Sequence, residues 1–200
     1  MNRPSTIWES TDSKLLDWLI PFSLRRDPKI IIDPCFGRGR FWKGSRYLPI
    51  LIKSDLNPFN SGVVKADFRC LPIKSNSIDV CVFDPPHISE SGKYSLISNA
   101  CGFGDHGEEN ISDLFEPFLK EAKRVLVDNG VILAKVADQI HRGSFQIQHV
   151  DFINECRKQN LQVCTVIIKT RKNSIMGLWK QVLHPRSFNC YWIVVRKGKC

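Results

Sequence analysis

The sequence predicts an α/β protein built on one mostly parallel sheet of seven strands, with an antiparallel last strand and helices on both faces. Its 200 residues, 42% of them hydrophobic, suffice for one continuous core and are too few for two, so we expect a single domain over residues 1–200. Short β-branched runs alternate with longer amphipathic segments, and this alternation is typical of a sheet covered by helices on both sides. No internal repeat, low-complexity tract or linker interrupts the pattern.

The predicted strands are short runs rich in Val and Ile, several of which end in Asp. They comprise residues 29–33, 50–55, 63–67, 78–84, 130–136, 162–169 and 190–196. The predicted helices comprise residues 13–24, 40–47, 111–127 and 150–159. The third helix has the clearest apolar periodicity, from Leu114 to Val125. Asn129 or Gly130 is expected to end it by taking a left-handed conformation.

Two long stretches, residues 88–110 and 170–189, match neither pattern. Loops of this length inside a compact domain are usually functional or disordered. Both would leave the carboxyl ends of strands, where open α/β sheets bind their ligands. We therefore expect both loops to face the substrate.

Charge and cysteine content narrow the class of protein. The formal net charge of +9, from 29 basic and 20 acidic residues, creates a field that attracts polyanions, although many basic proteins bind no nucleic acid. The eight cysteines include no Cys-x-x-Cys pair, so we expect small buried thiols in a reducing compartment rather than a disulfide or zinc framework. No stretch is long and apolar enough to span a membrane and no apolar signal core follows Met1, which predicts an intracellular, cytoplasmic protein without membrane association.

A glycine-bearing turn follows the first predicted strand. Residues 30–41 are Ile-Ile-Ile-Asp-Pro-Cys-Phe-Gly-Arg-Gly-Arg-Phe. Gly37 and Gly39 allow the backbone to take positive φ and to approach a ligand closely, and Asp33 at the strand end can accept hydrogen bonds or face a positive charge. An ordinary turn between a strand and a helix is the alternative interpretation.

Acidic residues also end the next two predicted strands. Asp55 comes a little under about twenty residues after the glycines, a spacing at which one carboxylate accepts both hydroxyls of a ribose in dinucleotide-type folds. Asp67 could accept a hydrogen bond from the exocyclic amine of an adenine, with Phe68 beside the ring. A helix-cap or turn role is the alternative for Asp67.

The most informative motif is Asp84-Pro85-Pro86-His87, directly after the apolar run 78–83. Proline fixes φ near about −65° and biases the residue before it toward extended geometry. The carboxylate and the imidazole are therefore held on a stiff turn before anything binds. Such a clamp suits a flat, neutral, nitrogen-bearing substrate, and a nucleobase with an exocyclic amine is the leading candidate.

In this order the four elements resemble the class I S-adenosylmethionine-dependent methyltransferases, and among them the nucleic-acid amino-methyltransferases of the DNA adenine-N6 and cytosine-N4 type. The resemblance spans about residues 6–196 and implies a Rossmann-like fold with S-adenosylmethionine as cofactor. It assigns catalysis to Asp84, Pro85, Pro86 and His87. It assigns cofactor contacts to Asp33, Pro34, Gly37, Gly39, Asp55, Leu56, Asp67 and Phe68. Thr6 and Trp8 could contact the methionine part, although a residue like Thr6 ahead of a helix is often a simple cap.

The resemblance implies methyl transfer to a poor nucleophile, because the lone pair of an exocyclic amine is delocalised into the ring. Hydrogen bonds from the amine to the Asp84 carboxylate and the Pro85 carbonyl oxygen would aim that lone pair at the sulfonium methyl. Catalysis is then mainly positioning and electrostatics, with no metal ion. Family members usually carry Tyr, Phe or Trp where this chain has His87, whose imidazole offers less stacking area and a charge that varies with pH.

The expected partner is a nucleic acid, DNA or RNA. A base inside a duplex cannot reach the clamp, so it must be flipped out or already single-stranded. The second long loop could hold the strand, unless it is only a solvated basic loop. Its candidate contacts are Arg171, Lys172, Trp179, Lys180 and Arg186.

Adenine in DNA is the first candidate substrate, and a base of rRNA or tRNA is the alternative. The chain has no room for a separate DNA-recognition region, so either the loops recognise a short DNA site or a folded RNA presents the base. Methylation of a protein or a small molecule is a rival, as is a non-catalytic nucleic-acid-binding module that keeps the fold. A partner subunit or a homodimer is left open by the sequence.

Overall fold

A sheet of eight strands organises the computed structural model, which describes residues 5–85, 111–141, 144–170 and 189–198. The strands, in chain order, are β1 (Ile7–Trp8), β2 (Ile31–Asp33), β3 (Leu51–Asp55), β4 (Val64–Lys65), β5 (Ile78–Phe83), β6 (Leu126–Val136), β7 (Gln139–His141), β8 (Ser144–Gln146), β9 (Gln162–Thr170) and β10 (Asn189–Arg196). Strands β7 and β8 form a separate antiparallel pair. The helices are α1 (Asp12–Leu24), α2 (Phe115–Val125) and α3 (Gln148–Lys158), with 3₁₀ turns at Arg40–Trp42, Leu48–Ile50 and Ile111–Leu114.

The main sheet has the spatial order β1-β9-β10-β6-β5-β2-β3-β4. Its neighbouring strands are parallel except where β10 pairs with β6 and with β9. The predicted mostly parallel sheet with an antiparallel last strand is therefore confirmed. The predicted count of seven strands is wrong by one within the described residues, because β1 has only two residues, too few to display an alternating pattern.

The predicted helix at residues 111–127 divides differently in the structure. It begins as a 3₁₀ turn, continues as α2 and ends at Val125, because Leu126 already pairs with Ile78 in the sheet. Asn129 does take a left-handed conformation, with φ of +63°. It lies inside β6, where the register against β5 shifts, and not at the helix end.

The predicted helix at residues 40–47 is replaced by two short 3₁₀ turns. Gly44 separates them with φ of +81°, a conformation that no α-helix contains. Trp42 and Tyr47 are nevertheless buried, so packing holds this segment together with its short i→i+3 backbone hydrogen bonds.

Each face of the sheet has its own core, because side chains alternate along the strands. One face packs against α2 and α3 around Phe83 and Phe118, whose rings stack with centroids 3.6 Å apart. The other face packs against α1 through Leu15, Leu16, Leu19 and Ile20, all fully buried. Helices on both faces are thus confirmed. The two cores leave the carboxyl ends of β2, β3, β5 and β6 together at one edge of the sheet.

Among the described cysteines the structure follows the prediction only in part. Cys81 and Cys156 are buried thiols whose pKa is raised by burial. Cys70 is exposed, and Cys164 is disulfide-bonded. Cys164 lies in an apolar run but on the exposed side of β9, so its neighbours in sequence did not indicate its surroundings. Within the described ranges, no helix combines the length and the apolar character that crossing a membrane would require.

Candidate active site

Three carboxylates and one lysine meet at the carboxyl edge of the sheet. Asp33 ends β2, Asp55 ends β3, Asp84 follows β5, and Lys135 is next to last in β6. Asp33, Asp84 and Lys135 each lie two positions after a residue of the α1 core, so their side chains are on the α1 face; those core residues are Ile31, Val82 and Leu133. Because parallel strands share this edge, residues far apart in sequence meet here.

Asp33 is fully buried at the centre of this group. Burial raises the pKa of its carboxyl from 3.8 to about 7, against hydrogen bonds that lower it, while repulsion from Asp84 and Asp55 raises it further. The hydrogen bonds come from the Trp42 indole Nε1, 2.7 Å from one oxygen, and from the Cys35 backbone nitrogen, 2.9 Å from the other. The carboxyl is therefore divided between its protonated and ionised forms near neutral pH.

The glycine-bearing turn wraps around the end of β3. The Gly37 backbone nitrogen donates to one Asp55 carboxylate oxygen at 2.7 Å, and the Asn57 nitrogen donates to the other at 2.8 Å. Gly37 has φ of +51° and open space where a side chain would be. Gly39 has φ of +63°, and a Cβ there would lie 2.2 Å from the Phe36 ring. The two glycines are thus required for different reasons: one leaves space and the other admits the Phe36 ring.

Asp67 and Phe68 have protein partners in the structure. The Asp67 carboxylate accepts hydrogen bonds from the Arg69 guanidinium, the shortest at 2.7 Å, and forms an ion pair with it. Phe68 packs edge-on against Phe83 and Phe118. An adenine amine that donates to Asp67 would therefore share this carboxylate with Arg69. An adenine ring could contact only the part of Phe68 that does not pack against Phe83 and Phe118.

Lys135 links Asp84 to helix α1, a connection that the sequence did not predict. The Lys135 ammonium lies 3.3 Å from a carboxylate oxygen of Asp84 and 3.3 Å from one of Asp12, and its side chain is 9% exposed. Asp12 also accepts a hydrogen bond from the Trp192 indole at 3.1 Å and lies 4.0 Å from the Lys169 ammonium. The only signal in the sequence was a charged residue inside the apolar strand β6.

The N-terminal candidates are placed by β1. Thr6 is exposed, and its carbonyl oxygen accepts a hydrogen bond from Ile168 at 2.7 Å. The Trp8 indole donates to the Thr11 carbonyl oxygen at 3.0 Å, and its ring stacks on Trp18. The Thr11 side chain, not that of Thr6, caps α1. Both predicted residues thus lie close to the amino end of α1, the helix that carries Asp12.

Several predicted residues complete the comparison. Pro34 and Pro85 are buried, and Leu56 is half-buried beside Asp55. Some predicted residues lie outside the described ones: Pro86, His87, Arg171, Lys172, Trp179, Lys180 and Arg186. Their roles remain predictions.

A second polar cluster at the same edge was not predicted. The His149 Nδ1 lies 2.7 Å from an Asp138 carboxylate oxygen, and the imidazole stacks on Tyr191 with ring centroids 3.9 Å apart. Gln148 beside it is fully buried, and its amide has no hydrogen-bond partner among the described residues. A short polar run ahead of an amphipathic helix gave no sign that these side chains would meet Asp138.

Comparison with solved structures relates this arrangement to known proteins. The chain matches a 1,6-didemethyltoxoflavin-N1-methyltransferase from Burkholderia thailandensis, solved with S-adenosylhomocysteine, at a TM-score of 0.61 and 10% identity over 94% of this chain and 79% of that one. The chain has the fold of S-adenosylmethionine-dependent methyltransferases. It also matches a possible histamine N-methyltransferase from Thermotoga maritima at 0.53 and 14% identity, over 94% of this chain and 91% of that one.

Other matches are partial. TrmN from Thermus thermophilus matches at a TM-score of 0.53 and 13% identity, over 93% of this chain and 51% of that one. Another Thermus thermophilus protein, provisionally described as a DNA modification methylase, has a TM-score of 0.44 and 20% identity over 64% of this chain, and this chain spans about half of its length. No protein-family model and no curated protein matches the sequence.

Proposed function

We propose that the protein is an S-adenosylmethionine-dependent methyltransferase that methylates an exocyclic amino group of a nucleic-acid base, with adenine in DNA as the first candidate and an RNA base as the alternative. The observation that carries the proposal is the position of Asp84. Its carboxylate follows β5 on the same face as Asp33, close enough to raise the Asp33 pKa, and Lys135 holds it from the next strand. The reacting amine and the methyl donor would thus meet at one edge of the sheet.

The residues present fit the cofactor. Three carboxylates that repel one another suit a ligand with a positive sulfonium. Asp55 uses its two oxygens for backbone nitrogens, yet each carboxylate oxygen can accept a further hydrogen bond, here from a ribose hydroxyl. The open space beside Gly37 allows a ligand to approach the backbone. S-adenosylmethionine, when bound, supplies the methyl group.

The protein's own contribution is positioning. The Asp84 carboxylate and the Pro85 carbonyl oxygen accept the two amine hydrogens of the base, which turns the nitrogen lone pair toward the methyl donor. Lys135 fixes the orientation of the Asp84 carboxylate by a charge-assisted contact at 3.3 Å. Asp84 needs no high basicity, because the amine proton becomes acidic once the nitrogen carries positive charge.

Charge supports a polyanionic substrate over a small molecule. The formal net charge of +9 exceeds what solubility needs in a chain of 200 residues and favours association with a phosphate backbone. Recognition of one base beside this backbone requires that the base leaves the duplex or is presented single-stranded.

The test is mass spectrometry of nucleosides from DNA and RNA after incubation with the protein and S-adenosylmethionine. The wild-type protein is expected to yield an amino-methylated nucleoside, and Asp84→Asn to yield none while still binding the cofactor. Asp128→Asn is the matched control, because it removes a carboxylate that is 93% exposed near the amino end of β6, at the opposite end of the sheet from Asp84. Full activity of Asp84→Asn would contradict the assigned role.

The same incubation with a labelled methyl donor discriminates the rivals. If the label appears in protein rather than in nucleic acid, the substrate is a protein and the proposed substrate class is wrong. If it appears in the small-molecule fraction, the substrate is a small molecule. A protein that binds neither S-adenosylmethionine nor S-adenosylhomocysteine by calorimetry would be a binding module that keeps the fold.

A further inference from the structure

A cavity lies at the end of the sheet opposite the candidate active site. There the carboxyl end of α1 meets the start of β9 and the end of β10. Its volume is about 800 Å³. Its lining includes Phe22, Ser23, Arg25, Arg26 and Arg196. Neither Asp33 nor Asp84 contributes to it, so it is separate from the candidate active site.

The cavity carries an excess of positive charge. Arg26 forms an ion pair with Asp79, and Asp27 also lines the wall. Arg25 and Arg196 form no ion pair with any residue that the structure describes. Two guanidinium groups are therefore available to an anion.

Polar groups of the cavity wall are also left unsatisfied. Ser23 is 5% exposed, and its hydroxyl has no hydrogen-bond partner in the described part of the chain. The Arg196 Nε is likewise buried without a partner, while another nitrogen of the same guanidinium donates to the Ser23 carbonyl oxygen. Both atoms are closed to solvent, so the polar surface that a ligand in the cavity can reach is that of the exposed Arg25 and the rest of the half-buried Arg196 guanidinium.

An exposed aromatic ring stands beside these groups. Phe22 is 53% exposed and stacks on Trp18 with centroids 4.8 Å apart, and Trp18 stacks in turn on Trp8. Three rings thus extend along α1 from β1, at the catalytic edge, to the cavity. Arginines beside an exposed ring are the combination with which proteins hold phosphates and stack bases of single strands.

We propose that this cavity anchors a nucleic-acid strand, with phosphates on Arg25 and Arg196 and a base on Phe22. The 13 residues of α1 span about 20 Å, or about six phosphate spacings of a stacked strand. The anchored nucleotide therefore lies about six positions from the base at Asp84. The proposal rests on the proposed function in taking nucleic acid as the substrate, and adds a contact remote from the reaction.

The first experiment compares Arg25→Gln with Lys158→Gln, which removes the same charge from an exposed side chain of α3. Arg25 contributes only its backbone to the end of α1, so its replacement leaves the fold intact. The probe is a fluorescein-labelled single strand of roughly 24 nucleotides, about four times the proposed spacing, and the readout is anisotropy at several salt concentrations without cofactor. Arg25→Gln is expected to lower the slope of log affinity against log salt by about 0.7, the value for one phosphate contact on a single strand.

The second experiment compares Phe22→Ala with Ile50→Ala, which removes an exposed apolar side chain directly before β3, at the end of the sheet away from the candidate active site. Phe22→Ala is expected to weaken binding of the same probe about fivefold or more, and Ile50→Ala to have no effect. Equal effects within either pair of variants would overturn the anchor, as would competition by polyglutamate as strong as that by unlabelled strand. The binding experiments contain no cofactor, so they are independent of the methyl-transfer test. If the wild-type protein methylates no nucleic acid but Arg25→Gln still lowers the salt slope, the proposed function is refuted and the anchor stands.

Discussion

Affinity for S-adenosylmethionine should fall as the pH drops below 7, and affinity for S-adenosylhomocysteine should not. The perturbation acts on Asp33, whose buried carboxyl has a pKa of about 7. The first ligand carries a positive sulfonium and the second a neutral thioether, whereas their amino-acid and adenosine parts are the same. A difference between them therefore reports on the charge that faces the sulfonium.

The magnitude follows from the electrostatics of a buried carboxylate. A unit positive charge about 5 Å away, at an effective dielectric constant of about 20, favours the ionised form by about 3 kcal/mol. That is about two units of pKa, so the ligand would shift titration of Asp33 from about 7 to about 5. Between these values each unit of pH is expected to cost about 1.4 kcal/mol, or about tenfold in affinity.

Isothermal titration calorimetry in buffers of different ionisation enthalpy measures both the affinity and the protons exchanged. Near about pH 6, S-adenosylmethionine should release close to one proton and S-adenosylhomocysteine close to none. Asp33→Asn should abolish the difference between the ligands. Parallel pH dependences for the two ligands with the wild-type protein would refute the role of Asp33, whether or not the variant folds.

Three further predictions concern stability and positioning. Because the Asp33 pKa is raised, the folded wild-type protein binds more protons than the unfolded chain between about pH 4 and 7. Its free energy of unfolding, measured by urea titration, should therefore fall as the pH rises, by up to about 4 kcal/mol relative to that of Asp33→Asn. Lys135→Met should destabilise the protein by about 1–3 kcal/mol, since it removes the cation between the Asp84 and Asp12 carboxylates, and should lower kcat more than cofactor affinity, a split that a purely structural loss would not give. Gly39→Ala should lower the urea midpoint more than Gly37→Ala, because both have positive φ but only Gly39 is covered by the Phe36 ring; equal effects would contradict the packing described.

The meeting of Asp33, Asp55 and Asp84 could be predicted from the sequence. Each follows a run of strand-forming residues, and parallel strands bring their carboxyl ends to one edge whatever their separation along the chain. The spacing of runs and turns was therefore enough to place the acidic residues together, without knowledge of any contact.

The partners of these carboxylates could not be predicted in the same way. Lys135 and Asp12 are 123 positions apart in the sequence, and their contact depends on which face of β6 packs against which side of α1. Asp67 pairs with Arg69 only two positions away, but a local ion pair leaves no mark in a hydrophobic pattern. Strand β1 was not predicted for a similar reason, because its backbone pairing with β9, and not its own composition, makes it a strand.

The pairing of β9 with β10 has a consequence for how the protein could change. Thr170 and Asn189 are register partners, so the chain leaves and re-enters the sheet at adjacent points beside the catalytic edge. Whatever lies between them is closed by a ladder that does not depend on its sequence, and doubling its length would cost only about 0.6 kcal/mol in closure entropy. This position is a natural graft point, at which a new recognition segment could be exchanged while the pairing of β9 with β10 is kept.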